Sequence, residues 1–479
     1  MRVRFEPLDE AQIGEIAAAT ENLIAATGFR VGHRGLRSLA RKAGATVDDA
    51  AETVCFPAPL LRELLALVPR HYTIRALNGA EFEVGGDTQG VLAIVTDPWI
   101  IDYPTGTPRR PRLGDVRTNT IVAQQLEAVT AVSRMDFPVA EYAGPDSTWR
   151  ALETHLLHHD KHNHVMPASL ESFETHLRIF EVFAAALARP LAGSRLLSIG
   201  VPVVSPLVLS ELNAELLLCA CQYDFPVIPT VCPMAGATAP FTVAGTLLQA
   251  HAEAVFMAAV TQLVKPGQPF LYSAGPSRTD MRNAGDLYYT LDKVLWKTAA
   301  AQLAQACGLP DTAECGGTMT AVPDIQAGAE GALFMLAAHC SGADLIAGIG
   351  SCFNANGMSP EMMVIQSAWL DAAKYLGRGV DTQDGRLGSE NIRRAGPGGH
   401  FLTDELTLRF LHGGEFFRSE LFDCSGGHDA ARSMLERAHA RVGELVAGRG
   451  SPHPPALQAR LRACFHAITA STRAGPDDA

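Results

Sequence analysis

Short apolar runs alternate with long helical stripes through the middle of this chain. Extended runs are expected at 137–142, 164–168, 196–201, 226–232, 269–274, 314–318 and 344–350. Helices are expected between and after them, at 170–188, 210–223, 243–264, 287–307, 324–340 and 361–376. In the third of these, Leu247, Leu248, Val255, Ala258 and Ala259 recur at helical spacing. Strand–helix alternation implies parallel strands joined by crossover helices. Seven strands are one short of a β/α barrel, and the eighth is expected near 128–133 or 388–395. A doubly wound open sheet is the alternative, but no early glycine-rich nucleotide turn supports it.

The flanks have a different texture. Residues 8–28 read as one helix, capped by Asp9, striped by Ile13, Ile16, Ala17, Leu23 and Ile24, and ended by Gly28. A second helix at 34–43 ends at Gly44, and extended runs follow at 72–76, 91–95 and 99–103. The fold class expected is therefore α/β: a (β/α)8 TIM-type barrel at 126–425. An N-terminal extension of helices and a small antiparallel sheet, 1–125, packs on it, and a C-terminal helical segment and tail, 426–479, completes the chain. The stretch from about 378 is irregular, with Gly396-Pro-Gly-Gly399, a helix at 429–446 and a disordered tail at 473–479.

Composition narrows the function classes. A chain of 479 residues with 47% hydrophobic and 19% charged positions is a folded protein with ample core. Lys and Arg total 39 against 51 Asp and Glu, a formal charge of −12, which argues against sequence-independent nucleic-acid binding. No secretory leader follows Met1, and no apolar run reaches the ~18–20 residues of a membrane span. Ten cysteines without a CxxC pair read as reduced, mostly buried thiols of a cytoplasmic protein. A homo-oligomer is compatible with this composition.

In a barrel, chemistry sits at the C-terminal ends of the strands. Those ends hold Glu141-Tyr142, His164, Pro233-Met-Ala-Gly236, Tyr272-Ser273, Thr318 and Gly348-Ile-Gly350. His155, His158, His159, His162 and His164 crowd one short segment. His155 and His159 stand i,i+4, so one helix face presents two imidazoles, but no third ligand is identifiable. The bland reading, a solvated helix end with one histidine reaching the rim, is preferred, and no metal is assigned. Neither glycine cluster has nucleotide-loop spacing, and no GxSxG occurs. With only 7% aromatics, Trp99, Tyr142, Tyr272, Tyr288, Tyr289 and Trp369 stand out as core residues or as walls of a cage for a cation.

Several ordered blocks carry a family resemblance. They are Thr27-Gly-Phe-Arg-Val31, Asp102-Tyr-Pro-Thr-Gly106 and Pro233-Met-Ala-Gly-Ala-Thr238 with Gln249-Ala-His-Ala-Glu253. Gln262-Leu-Val-Lys-Pro-Gly267, Asp280-Met-Arg282, Pro323-Asp-Ile-Gln-Ala-Gly-Ala-Glu330 and Gly396-Pro-Gly-Gly-His-Phe-Leu-Thr403 continue the series. The chain resembles the trimethylamine methyltransferase family, in its branch without pyrrolysine, which includes glycine betaine methyltransferases. The resemblance implies a β/α barrel that moves a methyl group from an N-methylated amine to the cobalt of a corrinoid protein. The pyrrolysine position falls at Asn354, an ordinary residue here. His162-Asn-His-Val165 and Asn283-Ala-Gly-Asp286 also depart from the family pattern.

The expected substrate is therefore a quaternary amine, glycine betaine first, because such a nitrogen already carries its charge and leaves as a neutral tertiary amine. Asn354 is the expected catalytic, pocket-lining residue. Tyr142, His164, Tyr272, Arg282, Asp324, Gln326 and Glu330 are the expected substrate-binding residues, with His164 or Arg282 meeting an anionic end. Asp324, Gln326 and Glu330 have a structural network as their alternative. No Asp-x-His-x-x-Gly run is present, so cobalamin is expected on a partner corrinoid protein, with Gly396, Gly398 and Gly399 contributing to the surface that meets it. The competing readings are a metal-assisted barrel lyase or hydrolase and a non-catalytic betaine-binding protein.

Overall fold

A computed structural model describes residues 3–86, 88–95, 97–133, 138–425, 427 and 432–473. Its centre is a seven-stranded sheet in the order Val227–Thr230, Leu197–Pro202, His162–Val165, Ala131–Ser133, Gly90–Ile94, Leu345–Ile349, Thr312–Glu314. Every neighbouring pair is parallel. The two edge strands are linked through one extended segment, by parallel bridges Val227 to Phe270 and Tyr272 to Asp311. Crossover helices cover the outer face, including Val243–Val264, Leu291–Ala306, Ile325–Ser341 and Pro360–Gly377.

Side-chain alternation along the strands sorts the core into two sides. Val91, Ala93, Val132, Ala313 and Ile346 point outward into one helical layer. Leu92, Ala131, Ile228, Leu271 and Leu345 point inward, onto Tyr72, Ile74 and Val84. Those last three come from the antiparallel hairpin Tyr72–Arg75/Glu81–Val84, which plugs the end where the strands begin. The opposite end is built of loops.

The N-terminal unit pairs Phe29–Val31, Thr46–Asp48 and Thr53–Cys55 in an antiparallel sheet and adds Val208–Leu209 in parallel. Phe29 stacks on Phe256 with ring centres 3.8 Å apart. The Val243–Val264 helix is thus packed on both sides, which is why Gln249 to Gln262 are all buried. By length and composition this helix could cross a membrane, yet 78% of its most apolar window is buried inside the protein.

Several expectations need correction. The run at 91–95 was expected in an antiparallel sheet; it is a central strand of the parallel sheet, so that sheet draws on residues before 126. Trp99–Asp102 pairs with Thr107–Arg109 and, in parallel, with Gly357–Met358. Of the run at 137–142, residues 138–142 form no strand, and residue 137 lies outside the described residues. Pro138 lacks a ladder donor, and the Val139 N–H and C=O both bond to Ser147 Oγ. The strand of this unit is Ala131–Ser133, while the other proposed site for the missing strand is the helix Ser389–Ala395. The helix expected at 429–446 is Met434–Val446, capped by Ser433, a last helix Pro455–Arg473 follows, and the tail at 474–479 lies outside the described residues.

Candidate active site

A cavity of about 140 Å³ opens inside the sheet at the C-terminal ends of its strands. Ile94, Ser133, His164, Thr230, Ser273, Glu314 and Ala347 line it, with Met166, Cys232 and Tyr288 from the adjoining loops and Lys297 from a helix. The inward layer is apolar near the strand starts and polar one step further on. A space of this size suits a small ligand.

One wall is a buried charge cluster. Lys293 and Lys297 stand i,i+4 on the Leu291–Ala306 helix, which places both ammoniums on one face. Glu314 ends its strand opposite them, and its Oε2 lies 3.3 Å from both nitrogens. Its Oε1 accepts the Tyr288 hydroxyl at 2.8 Å. Lys293 also donates to the Gly275 carbonyl at 2.9 Å and sits 3.0 Å from the Tyr288 ring centre. Burial alone would raise the Glu314 carboxyl, but the two ammoniums outweigh it and hold the group below its ordinary range. Burial lowers Lys293 to about 8, with Glu314 opposing the shift. Burial also keeps the Tyr288 phenol protonated, and its hydroxyl donates to Glu314.

The facing wall is a histidine chain. His162 Nδ1 lies 3.0 Å from the Arg75 carbonyl, which can only accept. Burial lowers His162 and His164 to about 4, so both are neutral at pH 7. His162 Nε2 therefore holds a lone pair and takes the Ser198 hydroxyl at 3.1 Å. Ser198 Oγ then accepts from His164 Nδ1 at 3.2 Å, which leaves His164 Nε2 as a lone pair. His164 lines the cavity as expected, but its free nitrogen accepts. It suits a cationic or hydrogen-bond-donating group, and it does not suit an anion.

Asn354 is placed beside the cavity wall. Its Oδ1 accepts the backbone N–H of Tyr288 at 2.6 Å and of Tyr289 at 3.3 Å, and its amide donates to the Asp286 carbonyl at 2.6 Å. Its own N–H donates to Thr318, and its φ of 54° lies in the left-handed region that Asn tolerates. The side chain pins the loop that presents Tyr288.

The other expected residues are not brought together. Tyr272 is fully buried against His251, its hydroxyl 3.0 Å from Nδ1, because alternation turns it outward while Leu271 and Ser273 face in. Arg282 is 88% exposed and clamps Asp280. Tyr142 is exposed on the loop after Ala131–Ser133. Asp324 caps its helix by accepting from Ala327, Gln326 bonds to Glu330, and Glu330 holds the Met319 N–H. Gly396 and Gly398 lie open in a segment tethered to the C-terminal end of Pro360–Gly377. That end abuts His339, at the foot of the sheet.

Two other histidines of the crowded segment make local contacts. His155 Nδ1 lies 3.0 Å from Thr120, and His158 bonds to the Thr154 carbonyl. Among the described residues, no group of three or more His, Cys, Asp or Glu could hold a metal ion. Sequence reasoning missed Lys293, Lys297 and Glu314. The available signal was two lysines at i,i+4 inside an otherwise apolar helix, followed by a carboxylate at the end of a barrel strand.

Comparison with known proteins agrees with the ordered blocks. Residues 2–471 match the family model "Trimethylamine methyltransferase (MTTB)". The glycine betaine methyltransferase of Desulfitobacterium hafniense (strain Y51) is 31% identical over 273 residues, 56% of each chain. The proline betaine:corrinoid methyltransferase of Eubacterium limosum is 28% identical over 235 residues, 47% of this chain and 48% of that one. These alignments span about half of those two relatives. The trimethylamine methyltransferase MttB of D. hafniense (strain DSM 10664 / DCB-2) is 23% identical over 461 residues, 95% of this chain and 92% of that one. The solved Methanosarcina barkeri monomethylamine methyltransferase is 12% identical, with a TM-score of 0.46, covering 77% of this chain and 80% of that one. The full-length family match shows that the chain belongs to the trimethylamine methyltransferase family.

Proposed function

We propose that this chain is a corrinoid-dependent methyltransferase acting on a quaternary amine, with glycine betaine as the first substrate. We read the parallel sheet together with its linking segment as a closed (β/α)8 barrel, in which the cavity occupies the usual catalytic end. The observation that carries the reading is the cavity's protonation pattern. His164 presents a lone pair and resists protonation, and the Tyr288 phenol stays protonated on Glu314. A neutral tertiary amine would need activation before it could leave. A quaternary ammonium needs none: its N–CH₃ bond breaks, the electron pair returns to nitrogen, and a neutral tertiary amine departs.

The corrinoid supplies the reduced cobalt nucleophile and accepts the methyl group. A space of about 140 Å³ is small for a corrin ring, which supports a partner protein presenting the cofactor at the mouth. The chain's own residues hold the substrate, orient one methyl outward and exclude water. Met166 gives a soft, polarisable wall for an N-methyl head, and the His164 lone pair adds partial negative charge. All ten cysteines are free, which fits the reducing cytoplasm.

The test is anaerobic methyl transfer to reduced cobalamin from glycine betaine, other betaines, choline and trimethylamine. Transfer from a quaternary amine is expected. Transfer from trimethylamine alone would overturn the reading.

A further inference from the structure

Lys297 is 4% exposed and lines the cavity. An ammonium has three N–H donors, and the partner of Lys297 is Glu314 at 3.3 Å. Glu314 is shared, because Lys293 lies at the same distance from the same oxygen. Lys293 is further satisfied by the Gly275 carbonyl and the Tyr288 ring. Two ammoniums thus face one carboxylate, and the surplus positive charge rests on the lysine that borders the cavity. Asp286, whose charge also acts on Lys293, is exposed on the loop above. A buried ammonium with spare donors is costly unless a ligand or water completes it.

A second observation marks the place. A Cβ on Gly275 would stand 3.5 Å from Lys293 Nζ, from Lys297 Nζ and from the Tyr288 hydroxyl. The glycine leaves open a space onto which all three polar groups converge. His164 offers only a lone pair to the cavity, and Arg282 is solvent-exposed and paired with Asp280.

We infer that Lys297, with the open space over Gly275, is the carboxylate-binding end of the cavity and selects betaines over quaternary amines that lack an acid group. This rests on the reading of the chain as a quaternary-amine methyltransferase. Lys297 acts as a specificity residue: it meets the substrate's anion while the ammonium lies toward His164 and the mouth.

The experiment is calorimetric binding of glycine betaine and of choline, which share a trimethylammonium head, to wild type, Lys297→Met and Gly275→Ala at pH 7. Wild type is expected to prefer betaine by at least tenfold. Lys297→Met should lose at least tenfold in betaine affinity with choline affinity held within about twofold. Gly275→Ala introduces only ordinary 3.5 Å contacts, so it should fold and still weaken betaine binding. If Lys297→Met loses choline affinity in parallel, Gly275→Ala decides: unchanged betaine affinity there overturns the inference. So does equal betaine affinity in Lys297→Met and wild type, or no betaine preference in wild type. Methyl transfer is scored separately. A wild type that demethylates choline but not betaine removes the role of Lys297 and leaves the methyltransferase reading standing, whereas a wild type that binds betaine through Lys297 but transfers no methyl does the reverse.

Discussion

The site depends on a few side chains whose roles are set by what surrounds them. His164 is the clearest: the orientation of its free nitrogen is fixed three groups away, at the Arg75 carbonyl. Both His162 and His164 titrate near 4 in the fold, against about 6.5 in an unfolded chain. The unfolded chain therefore binds more protons between those values, and stability falls as pH drops from about 6.5 toward 4. Each histidine contributes a slope of up to ~1.4 kcal/mol per pH unit in that window. Urea titrations at pH 7 and pH 5 should show the loss, and a His162→Gln variant should flatten it; an unchanged pH slope would show that the chain is wrongly assigned. Asn354 was legible in the sequence as a special position, but its role was not. Left-handed geometry and three backbone contacts make it a positioning residue for Tyr288. Asn354→Ala should lower kcat/KM by roughly ten- to a hundredfold through misplaced geometry while the global fold persists. Unaltered kinetics would detach that loop from the reaction.

At the scale of elements, the long amphipathic helices were readable because their caps and stripes are local. Asp9, Ser210, Thr242, Asp324 and Ser359 each accept from the first turn of their helix. Short strands were harder. Ala131–Ser133 has three residues, too few for a period-two pattern, and the more apolar stretch after it attracted the assignment. The run at 91–95 reads as part of a small antiparallel sheet because sequence does not say which neighbour a strand takes. The Leu291–Ala306 helix held the least legible feature, since sequence alone does not say that the sheet places Glu314 against Lys293 and Lys297. That placement predicts a stability effect. Lys293→Met removes one partner of the largely buried Glu314 carboxylate and should cost ~3 kcal/mol in urea-induced unfolding. A loss below about 0.5 kcal/mol would mean the cluster is solvated and weak.

For the molecule as a whole, the hairpin plug at one end and the loop-built cavity at the other give the fold a direction. Helix N-termini and loops at the cavity end expose Phe241, Met281, Leu291 and Ile325, the last 93% accessible. On the proposed function this is the face a corrinoid protein would meet, and apolar side chains there suit a protein contact. Met281→Asp and Ile325→Asp should slow methyl transfer to a corrinoid protein from a betaine-demethylating relative by at least tenfold. Transfer to free reduced cobalamin should be unaffected; an equal loss with both acceptors would place these residues in the catalytic machinery instead of on a docking surface.

The most direct measurement is a single turnover with glycine betaine labelled in its N-methyl carbons, with reduced corrinoid as acceptor and no other methyl donor. One labelled methyl per betaine should appear on the corrinoid, matched one to one by dimethylglycine. Bound betaine recovered intact, while trimethylamine donates its methyl under the same conditions, would contradict the assignment.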